Sequence, residues 1–335
     1  MIKIGQIGIG HNHAAAKMEA VRKLPELFEV VGYAEENEEW ITKRGNLPAY
    51  KGLKRLSVDE IIEKSDAILV ECDVWNLTAI AQKCIDAGKH IHLDKPASGT
   101  LTEYKHLLDT AREKNLTVQL GYMYRYNPEI KKIIEMVKRG ELGEIYSVTA
   151  EMSTRHSDEY REWLNHFRGG NMYIFGCHLA DLILLILGSP EKVISHIGSS
   201  NMNGITAPDL CSASLFYKNA IARIFVSSVE ANGWGRRTLS VAGSKGTVEL
   251  RPIESPEKLT FARLGDGKEY FDDYAKPLET EHLPDNCRYD EMMQNFYSFV
   301  TGKAQNPFTY EHEYALQEVL DKVVGGVKAS GNNIT

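Results

Sequence analysis

The alternation of short apolar runs with helical patterns over residues 1–122 constrains the fold of this chain more than any other feature. The apolar runs are IKIGQIG, FEVVGYA, DAILVEC, HIHL and TVQLGY. Between them lie helical segments long enough to connect neighbouring strands that run in the same direction. One run, DAILVEC, is apolar throughout, as expected of a strand that is buried on both faces of a sheet. The order therefore predicts a doubly wound α/β domain with a parallel sheet.

Local signals mark where two of these helices begin and where another ends. Ser57 precedes Glu60 by three residues, and Thr100 precedes Glu103 by the same spacing. This is the spacing of a capping box, in which each side chain accepts a hydrogen bond from the backbone N–H of the other residue. Gly88 follows the helical pattern LTAIAQKCIDA, a position where glycine commonly ends a helix.

The turn between the first strand and the first helix has the sequence GIGHNH. Gly8 would permit a tight turn, and Gly10 would let the backbone approach a pyrophosphate held at the N-terminus of the helix. His13 stands where the third glycine of a dinucleotide-binding turn is expected. Because an ordinary strand-to-helix turn can carry the same glycine spacing, the turn alone leaves both interpretations open.

Glu35 favours the dinucleotide interpretation. It follows the second predicted strand, 25 residues after Gly10. A carboxylate at this place can accept hydrogen bonds from the ribose hydroxyls of adenosine and would repel a 2′-phosphate. The pattern therefore predicts NAD rather than NADP, although a solvated acidic helix start would look the same in the sequence.

Lys95 and His178 are the candidate catalytic side chains. Lys95 follows a predicted parallel strand, from which it could orient a hydroxyl or stabilise an oxyanion; a solvated surface lysine is the alternative. His178 lies three residues before Asp181, so that a helix would place both on one face. An imidazole can take a proton from an alcohol near neutral pH, whereas a buried structural histidine is the alternative.

The second half of the sequence shows a different order of predicted strands and helices. Its extended runs, which no crossover helices separate, are IYSVTAEM, KVISHIG, LCSASLFY, AIARIFVSSVE, RRTLSVAG, GTVEL and KLTFARL. Hairpin turns are expected at Lys218-Asn219 and at residues 243–246. We therefore expect a dinucleotide-binding domain over residues 1–122 and, over 123–335, an α+β domain with an open, mainly antiparallel sheet.

Composition excludes several classes of function. The net charge of -7 argues against nucleic acid as a partner, and no apolar run approaches the roughly 18 residues that a membrane helix needs. The first strand begins at Ile2, which leaves no room for a signal peptide, and the five cysteines form no CxxC pair. These features favour a cytoplasmic protein with reduced thiols.

Histidine spacing gives no sign of a metal site. The two histidines of HNH at residues 11–13 are too close together for the usual helical zinc pair, and the others show no recognisable spacing of metal ligands. We therefore expect no metal.

Taken in order, the motifs resemble those of the glucose–fructose oxidoreductase, inositol dehydrogenase and MocA (Gfo/Idh/MocA) family of NAD(P)-dependent oxidoreductases. The stretches that carry the resemblance are GIGHNH, AGKHIHLDKPAS, GYMYRYNP, KRGELGEI and GGNMYIFGCHLADLILLILGSPEKV. The resemblance implies a Rossmann domain followed by an α/β domain whose open sheet builds oligomers, here a homodimer or homotetramer. It also implies oxidation or reduction of a hydroxyl carbon of a sugar, an inositol or a related polyol.

The resemblance also assigns residues. The Glu-Lys-Pro signature of the family is present as Asp94-Lys95-Pro96, which implies that Lys95 positions substrate and nicotinamide. His178 matches the catalytic histidine. The expected cofactor-binding residues are Gly8, Gly10, His11, Asn12, Glu35, Asp73, Asp94, Lys95 and Arg125. The expected substrate-binding residues are Lys95, Tyr122, Arg155, His166, Tyr173 and His178.

Three positions depart from the family pattern. Ile174 stands where many members have an aspartate four residues before the histidine, Asp73-Val74-Trp75 replaces Thr-Pro-Asn, and His13 replaces a glycine. The predicted function is an NAD-dependent oxidoreductase acting on a secondary hydroxyl of a sugar, glycoside or cyclitol. One alternative is glycoside cleavage assisted by a recycled NAD. The other, suggested by Ile174, is a regulator that binds the cofactor without catalysis.

Overall fold

The computed structural model describes residues 1–253, 259–263, 279–281 and 288–325. The chain divides into two compact units. The first comprises Met1–Tyr126 and Cys287–Gln317, and the second comprises Asn127–Asn286 and Glu318–Thr335.

The elements of both units are numbered in chain order. The strands are β1 (Ile2–Ile7), β2 (Phe28–Ala34), β3 (Ala67–Val70), β4 (His90–Leu93), β5 (Val118–Leu120), β6 (Ile145–Ser153), β7 (Lys192–Gly198), β8 (Leu210–Phe216), β9 (Ile221–Ser227), β10 (Thr238–Gly243), β11 (Gly246–Leu250), β12 (Leu259–Arg263) and β13 (Glu279–Glu281). The helices are α1 (Ala14–Arg22), α2 (Glu38–Arg44), α3 (Val58–Lys64), α4 (Leu77–Asp86), α5 (Leu101–Glu113), α6 (Pro128–Lys138), α7 (Asp158–Trp163), α8 (Asn171–Ile174), α9 (Gly176–Leu187), α10 (Arg288–Val300) and α11 (Tyr310–Val324).

The first unit contains the predicted doubly wound sheet. Its strands lie in the order β2-β1-β3-β4-β5, and every neighbouring pair is parallel. All four residues of β3 are buried, as its continuous apolar sequence predicts. Strand order reverses between β1 and β3, so the carboxyl ends of these two strands flank the crevice in which sheets of this kind bind ligands.

The predicted capping signals are confirmed. The backbone N–H of Glu60 donates to Ser57 Oγ at 3.2 Å, and the N–H of Ser57 donates to Glu60 Oε2 at 2.9 Å. Thr100 and Glu103 make the same reciprocal pair at the start of α5. Gly88 follows α4 with a φ of 76°, a left-handed conformation that glycine adopts without the clash of a Cβ. Local sequence thus determines where these helices begin and end.

Helix α10 completes the core of the first unit. Its buried Met292 and Phe296 belong to one apolar cluster with Ile4 of β1 and Leu69 of β3. Residues about 290 positions away in sequence therefore cover one face of the parallel sheet, together with α1.

The second unit is built on a mainly antiparallel sheet of eight strands, as predicted. Their order is β13-β12-β11-β10-β6-β9-β8-β7, and among these pairs only β6 and β9 run parallel. The expected hairpins are present, with Phe216 opposite Ile221 and Gly243 opposite Gly246. Helix α9 packs against β6 and β9.

Two further properties concern the chain as a whole. Among the described helices, none combines the length and the apolar character that crossing a bilayer would require. Among the described residues, Cys72, Cys84, Cys177 and Cys211 form no disulfide, and Cys287 lies outside them.

Candidate functional site

Most of the predicted cofactor-binding residues lie at the carboxyl edge of the parallel sheet. The glycine turn follows β1, Glu35 follows β2, Asp73 lies just beyond β3, and Asp94 and Lys95 follow β4. Arg125 lies in a 3₁₀ turn after β5. Because the strands are parallel, their carboxyl ends meet at one edge, which brings these separate stretches of sequence together.

The glycine turn is packed tightly against the end of β3. Gly8 has a φ of 88°, and a Cβ at this position would overlap the backbone of Cys72. Only glycine meets both requirements, the left-handed backbone and the close approach. Helix α1, which follows the turn, has no side-chain cap and no acidic residue in its first turn. Its N-terminus is therefore compatible with an anion.

Glu35 faces the glycine turn. Its Oε2 accepts a hydrogen bond of 2.8 Å from the backbone N–H of Ile9, and its Oε1 accepts one of 2.9 Å from that of Asn37. Each carboxylate oxygen retains a further lone pair for a ligand hydroxyl. Glu35, predicted from the sequence to bind the ribose, thus lies beside the glycine turn, predicted to bind the pyrophosphate.

Helix α2 contributes two residues that the sequence analysis missed. The indole of Trp40 lies against Gly10, where a Cβ would be 2.6 Å from Nε1, and it donates to Asp73 Oδ1 at 3.0 Å. Arg44 stacks on the indole at 4.7 Å and donates to the carbonyl oxygen of His11 at 2.6 Å. Burial raises the pKa of Asp73. The spacing of Trp40 and Arg44, four residues apart on a predicted helix, was the available signal that they share a face.

Asp94 is the centre of a buried network of charged and polar groups. Its Oδ2 lies 2.5 Å from His11 Nδ1 and 2.9 Å from Lys17 Nζ, and its Oδ1 lies 3.4 Å from His13 Nδ1. Lys17 Nζ also lies 2.9 Å from Glu71 Oε1. The side chains of Asp94, Lys17 and Glu71 are each 0% exposed. Charges buried this deeply persist only when they are paired.

Burial and pairing perturb the pKa values of this network. Burial acts to raise the pKa of Asp94, but His11 and Lys17 together hold it well below its usual range. Burial and the charge of Asp94 raise the pKa of Glu71 well above its usual range. Burial lowers the pKa of His13 to about 3, so its imidazole is neutral near pH 7. The network therefore pairs Asp94, whose pKa is lowered, with the buried side chain of Lys17.

A chain of hydrogen bonds between neutral side chains connects β4 with the neighbouring strand β5. His92 Nδ1 lies 2.8 Å from Gln119 Oε1, and Gln119 Nε2 donates to Tyr126 Oη at 2.8 Å. Burial lowers the pKa of His92 well below its usual value. This chain of hydrogen bonds fixes the strand β4 that leads into Asp94 and Lys95.

Lys95 lies beside this network. It is 4% exposed, its backbone N–H donates to Asp94 Oδ1 at 2.7 Å, and its charge contributes to the lowered pKa values of His11 and His13. The structure therefore places four of the predicted cofactor-binding residues close together, namely Gly10, His11, Asp94 and Lys95. His13, which departs from the family pattern, lies beside them.

His11, His13 and Asp94 also have the composition of a metal-ligand set. Each offers one ligand atom, and these atoms lie within 4.8 Å of one another. However, Asp94 Oδ2 is already 2.9 Å from the ammonium group of Lys17, whose charge opposes a cation at that oxygen. That the chain binds no metal stays a prediction.

Arg125 and Tyr122 form part of a buried ion pair. The Arg125 guanidinium donates to Glu313 Oε1 at 2.5 Å and to Oε2 at 3.0 Å, and it lies 4.8 Å from the ring of Tyr122 and 4.1 Å from that of Phe308. This bidentate pair joins the segment after β5 to the start of α11. A role for Arg125 toward the cofactor, or for Tyr122 toward the substrate, stays a prediction.

The remaining predicted residues lie in the second unit. His178 and Asp181 are in the first turns of α9 and are 3% and 1% exposed. Ile174, the last residue of α8, is buried at 6% exposure. Tyr173 is half-buried, whereas Arg155 and His166 are exposed.

Two family models match this chain. Residues 2–122 match the NAD-binding Rossmann fold of the GFO_IDH_MocA oxidoreductase family, and residues 134–328 match its C-terminal alpha/beta domain.

Individual relatives and solved structures are also similar to this chain. It is 26% identical over 296 residues to the uncharacterized oxidoreductase YhhX of Escherichia coli, covering 83% of each chain. It is 27% identical over 192 residues to trans-1,2-dihydrobenzene-1,2-diol dehydrogenase of Bos taurus, covering 56% of this chain and 55% of that protein. The structure of UDP-N-acetylglucosamine 3-dehydrogenase GnnA from Acidithiobacillus ferrooxidans aligns over 98% of both chains with a TM-score of 0.78 at 17% identity, a likeness of fold.

Proposed function

Because this chain belongs to the Gfo/Idh/MocA oxidoreductase family and contains its NAD-binding Rossmann domain, we propose that it is an NAD-dependent dehydrogenase of ring secondary hydroxyls. The substrate would be a sugar, a glycoside or a cyclitol. The observation that carries the proposal is the grouping of the glycine turn, Glu35, Asp94 and Lys95 at one edge of the parallel sheet. This is the edge at which such sheets bind nucleotides.

The residues at this edge fit a dinucleotide. The N-terminus of α1 has no acidic residue in its first turn, which suits the negative charge of a pyrophosphate. Glu35 has lone pairs for the ribose hydroxyls, and its charge would repel a 2′-phosphate. Gly8, Gly10, His11, Asn12, Asp73 and Arg125 would complete the site. NAD is therefore preferred to NADP.

The chemistry needs a hydride acceptor, a proton acceptor and a group that orients the hydroxyl. The bound nicotinamide would supply the hydride acceptor. In this proposal Lys95 donates a hydrogen bond to the reacting hydroxyl and stabilises its negative charge as the proton leaves. His178 takes that proton, and loss of the hydrogen on the same carbon as a hydride to the nicotinamide would leave a ketone. Tyr122, Arg155, His166 and Tyr173 contact the rest of the substrate.

The names of the relatives support a ring alcohol as the substrate. A 1,2-dihydrobenzene-1,2-diol and the sugar of UDP-N-acetylglucosamine both carry secondary hydroxyls on six-membered rings. The two rings differ in charge and in attached groups, so they indicate the reacting group rather than one molecule.

Ile174 supports a second candidate function, a regulator that binds NAD(H) without turnover. Its buried side chain places an apolar group where the family resemblance leads one to expect a carboxylate. The two candidates differ in one result: a regulator would bind NADH and oxidise no member of a broad panel of sugars and cyclitols.

Assembly into a homodimer or homotetramer is part of the proposal. On the large sheet of the second unit, Ile194 and Ile221 lie on one face and are 48% and 46% exposed. Apolar side chains on a sheet face are commonly covered by a second subunit. Light scattering on a size-exclusion column would give the mass, and a monomer of 37.7 kDa would contradict this part of the proposal.

The state of the cysteines supports a reducing compartment. Four cysteines, three of them buried, form no disulfide among the described residues. Disulfides are rare in the cytoplasm, so we infer a cytoplasmic protein. Small molecules, rather than nucleic acids or membranes, are its expected partners.

A cofactor titration tests the proposal. Calorimetry should show tighter binding of NAD than of NADP to the wild-type protein, and Glu35→Ser should reduce or reverse this preference because it removes the repulsion of the 2′-phosphate. Glu36→Ser is the matched control, since Glu36 is adjacent and exposed. Wild-type preference for NADP, or an equal response of both variants, would contradict the assignment of Glu35.

A further inference from the structure

Arg44 of helix α2 contacts the glycine turn from its carbonyl side. Its Nη1 donates to the carbonyl oxygen of Ile9 at 3.2 Å and to that of His11 at 2.6 Å. Its Nη2 donates to Asn12 Oδ1 at 2.8 Å. One planar guanidinium thus holds the turn at three points, a geometry that the single ammonium group of a lysine cannot reproduce.

The two carbonyls that Arg44 holds belong to the peptide units that carry the N–H groups of Gly10 and Asn12. The carbonyl of Ile9 and the N–H of Gly10 share one peptide unit, and the carbonyl of His11 and the N–H of Asn12 share another. Both peptide bonds are trans, so the C=O and the N–H of each unit point in opposite directions. Because Arg44 holds both carbonyls, it directs both N–H groups away from its guanidinium.

The N–H groups of Gly10 and Asn12 differ from the others in the turn. The remaining non-helical N–H groups of residues 8–12 donate within the chain, those of Gly8, Ile9 and His11 to Ala34 O, Glu35 Oε2 and Glu71 O at 2.8, 2.8 and 3.1 Å. Among the residues that the structure describes, no acceptor is found for the N–H of Gly10 or of Asn12. Gly10 is buried, and a buried backbone N–H is almost always paired, so the two groups indicate a place for an anion.

Trp40 and Asp73 hold Arg44 in this position. The guanidinium lies 4.7 Å from the centre of the Trp40 ring, and the indole Nε1 donates to Asp73 Oδ1 at 3.0 Å. The same indole covers the Cα of Gly10, where a Cβ would lie 2.6 Å from Nε1. Asp73, which departs from the family pattern, therefore helps to fix the residue that orients the turn.

We propose that Arg44 is a positioning residue for the cofactor pyrophosphate, because it orients the turn so that the N–H groups of Gly10 and Asn12 bind phosphate oxygens. The inference rests on the proposed function and adds a residue that acts on the cofactor through the turn. Successive backbone N–H groups that point the same way form a concave site for an anion. Hydrogen bonds from N–H groups to a charged oxygen are about twice as strong as those between neutral groups.

Arg22 offers a matched control in the same unit. Its Nη1 donates to the carbonyl oxygens of Pro48 and Ala49 at 3.0 and 2.7 Å. Arg22 thus also holds two backbone carbonyls, but neither belongs to the glycine turn. Arg22→Met and Arg44→Met should both lower the Tm of the ligand-free protein, whereas only Arg44→Met should weaken binding of a pyrophosphate.

Arg44→Lys separates orientation of the turn from simple attraction of charge. Lysine keeps the positive charge and most of the stem, but it cannot hold both carbonyls in the geometry of a fork. The proposal therefore predicts that Arg44→Lys binds a pyrophosphate nearly as weakly as Arg44→Met. This variant also keeps the test valid if Arg44→Met does not fold.

The experiment is calorimetry on the full chain with ADP-ribose and with NAD, combined with amide hydrogen exchange resolved to single residues. ADP-ribose carries the pyrophosphate without the nicotinamide. Arg44→Met and Arg44→Lys should lose about tenfold or more in affinity for both ligands, as expected when hydrogen bonds to a charged group are lost, and Arg22→Met should change by less than about twofold. In the wild-type protein, saturating ADP-ribose should slow exchange at Gly10 and Asn12 by about tenfold or more.

Three results would each overturn the inference alone. They are full affinity for ADP-ribose in Arg44→Lys, equal losses in Arg22→Met and Arg44→Met, and exchange at Gly10 and Asn12 that ADP-ribose leaves unchanged. If the wild-type protein binds neither ADP-ribose nor NAD, the proposed dehydrogenase fails together with the inference.

Discussion

Replacement of Lys17 by methionine is expected to destabilise the first unit strongly, because the Lys17 ammonium group lies between the buried carboxyl groups of Glu71 and Asp94. Lys17 Nζ lies 2.9 Å from both Glu71 Oε1 and Asp94 Oδ2, and all three side chains are 0% exposed. Methionine keeps the length and flexibility of the side chain and removes only the charge and its hydrogen bonds.

The size of the loss in the free energy of unfolding depends on the buried charge that remains without its partner. Removal of one partner from a buried ion pair costs about 3–5 kcal/mol, because the remaining charge has neither water nor a counter-ion. Here Asp94 would keep its contacts to His11 and His13, whose pKa values burial lowers, so neutral groups would have to hold it. Glu71→Gln should cost less than Lys17→Met. In the double variant, the loss should be smaller than the sum of the two by about 1 kcal/mol or more.

The assay must report the first unit by itself. The chain has four tryptophans, of which Trp40 and Trp75 lie in the first unit and Trp163 and Trp234 in the second. A background with Trp163→Phe and Trp234→Phe leaves fluorescence from the first unit during urea unfolding. Lys23→Met is the matched control, since Lys23 is 59% exposed and lies 3.4 Å from Asp290. The control should change stability by less than about 1 kcal/mol.

A loss of less than about 1 kcal/mol for Lys17→Met, equal to that of the control, would refute the reasoning. It would mean that the buried network does not depend on the ammonium group, and that Asp94 becomes protonated at little cost.

Two further predictions concern pH and backbone geometry. The pKa values of His11, His13, His90, His92 and His156 are lowered in the folded protein, those of His13 and His156 to about 3 and about 4, so their contribution to stability is fully present above the unfolded pKa of about 6.5 and is lost as the pH falls below it. Glu71, whose pKa is raised, acts in the opposite direction and offsets part of this loss, so urea unfolding should show a net fall in stability below pH 6.5, of up to about 1.4 kcal/mol per pH unit for each net proton that the unfolded chain takes up; a flat profile between pH 7.5 and 5 would contradict this. Gly8→Ala should lower the Tm far more than Gly88→Ala, since both residues have positive φ but only a Cβ at Gly8 would overlap a neighbouring backbone, while that at Gly88 would have no atom within 4 Å. Equal losses in the two glycine variants would show that φ alone governs the turn.

The parts of the fold that depend on local chemistry could be predicted from the sequence. The capping boxes at Ser57 and Thr100, the glycine cap at Gly88 and the buried strand β3 each depend on a few neighbouring residues. The return of α10 to the first unit could not be predicted in this way. An amphipathic helix shows that it has a buried face, but not that Phe296 will pack near Ile4.

The residues of the candidate site differ in the same way, since some could be predicted from the sequence and others could not. Glu35 could be predicted because the distance from the glycine turn to the end of the second strand is set by the βαβ unit. Lys17 could not, since it reads as an ordinary polar residue on a surface helix, and its partner Asp94 is far away in the sequence. A signal for Glu71 was present, because it ends a continuous apolar run with a charge.

The most direct test of the central claim is the transfer of deuterium from a ring carbon to NAD. Sugars, methyl glycosides and cyclitols deuterated at their secondary carbinol positions would be incubated with the protein and NAD, and the NADH analysed by mass spectrometry. Lys95→Met and His178→Ala would be compared with Lys64→Met and His196→Ala, which alter exposed residues. The account predicts deuterated NADH from the wild-type protein and both controls, and at least a hundredfold less from Lys95→Met and His178→Ala, each of which should still bind NAD. Binding of NADH without any transfer of deuterium across the panel, or transfer at the wild-type rate by both site variants, would contradict it.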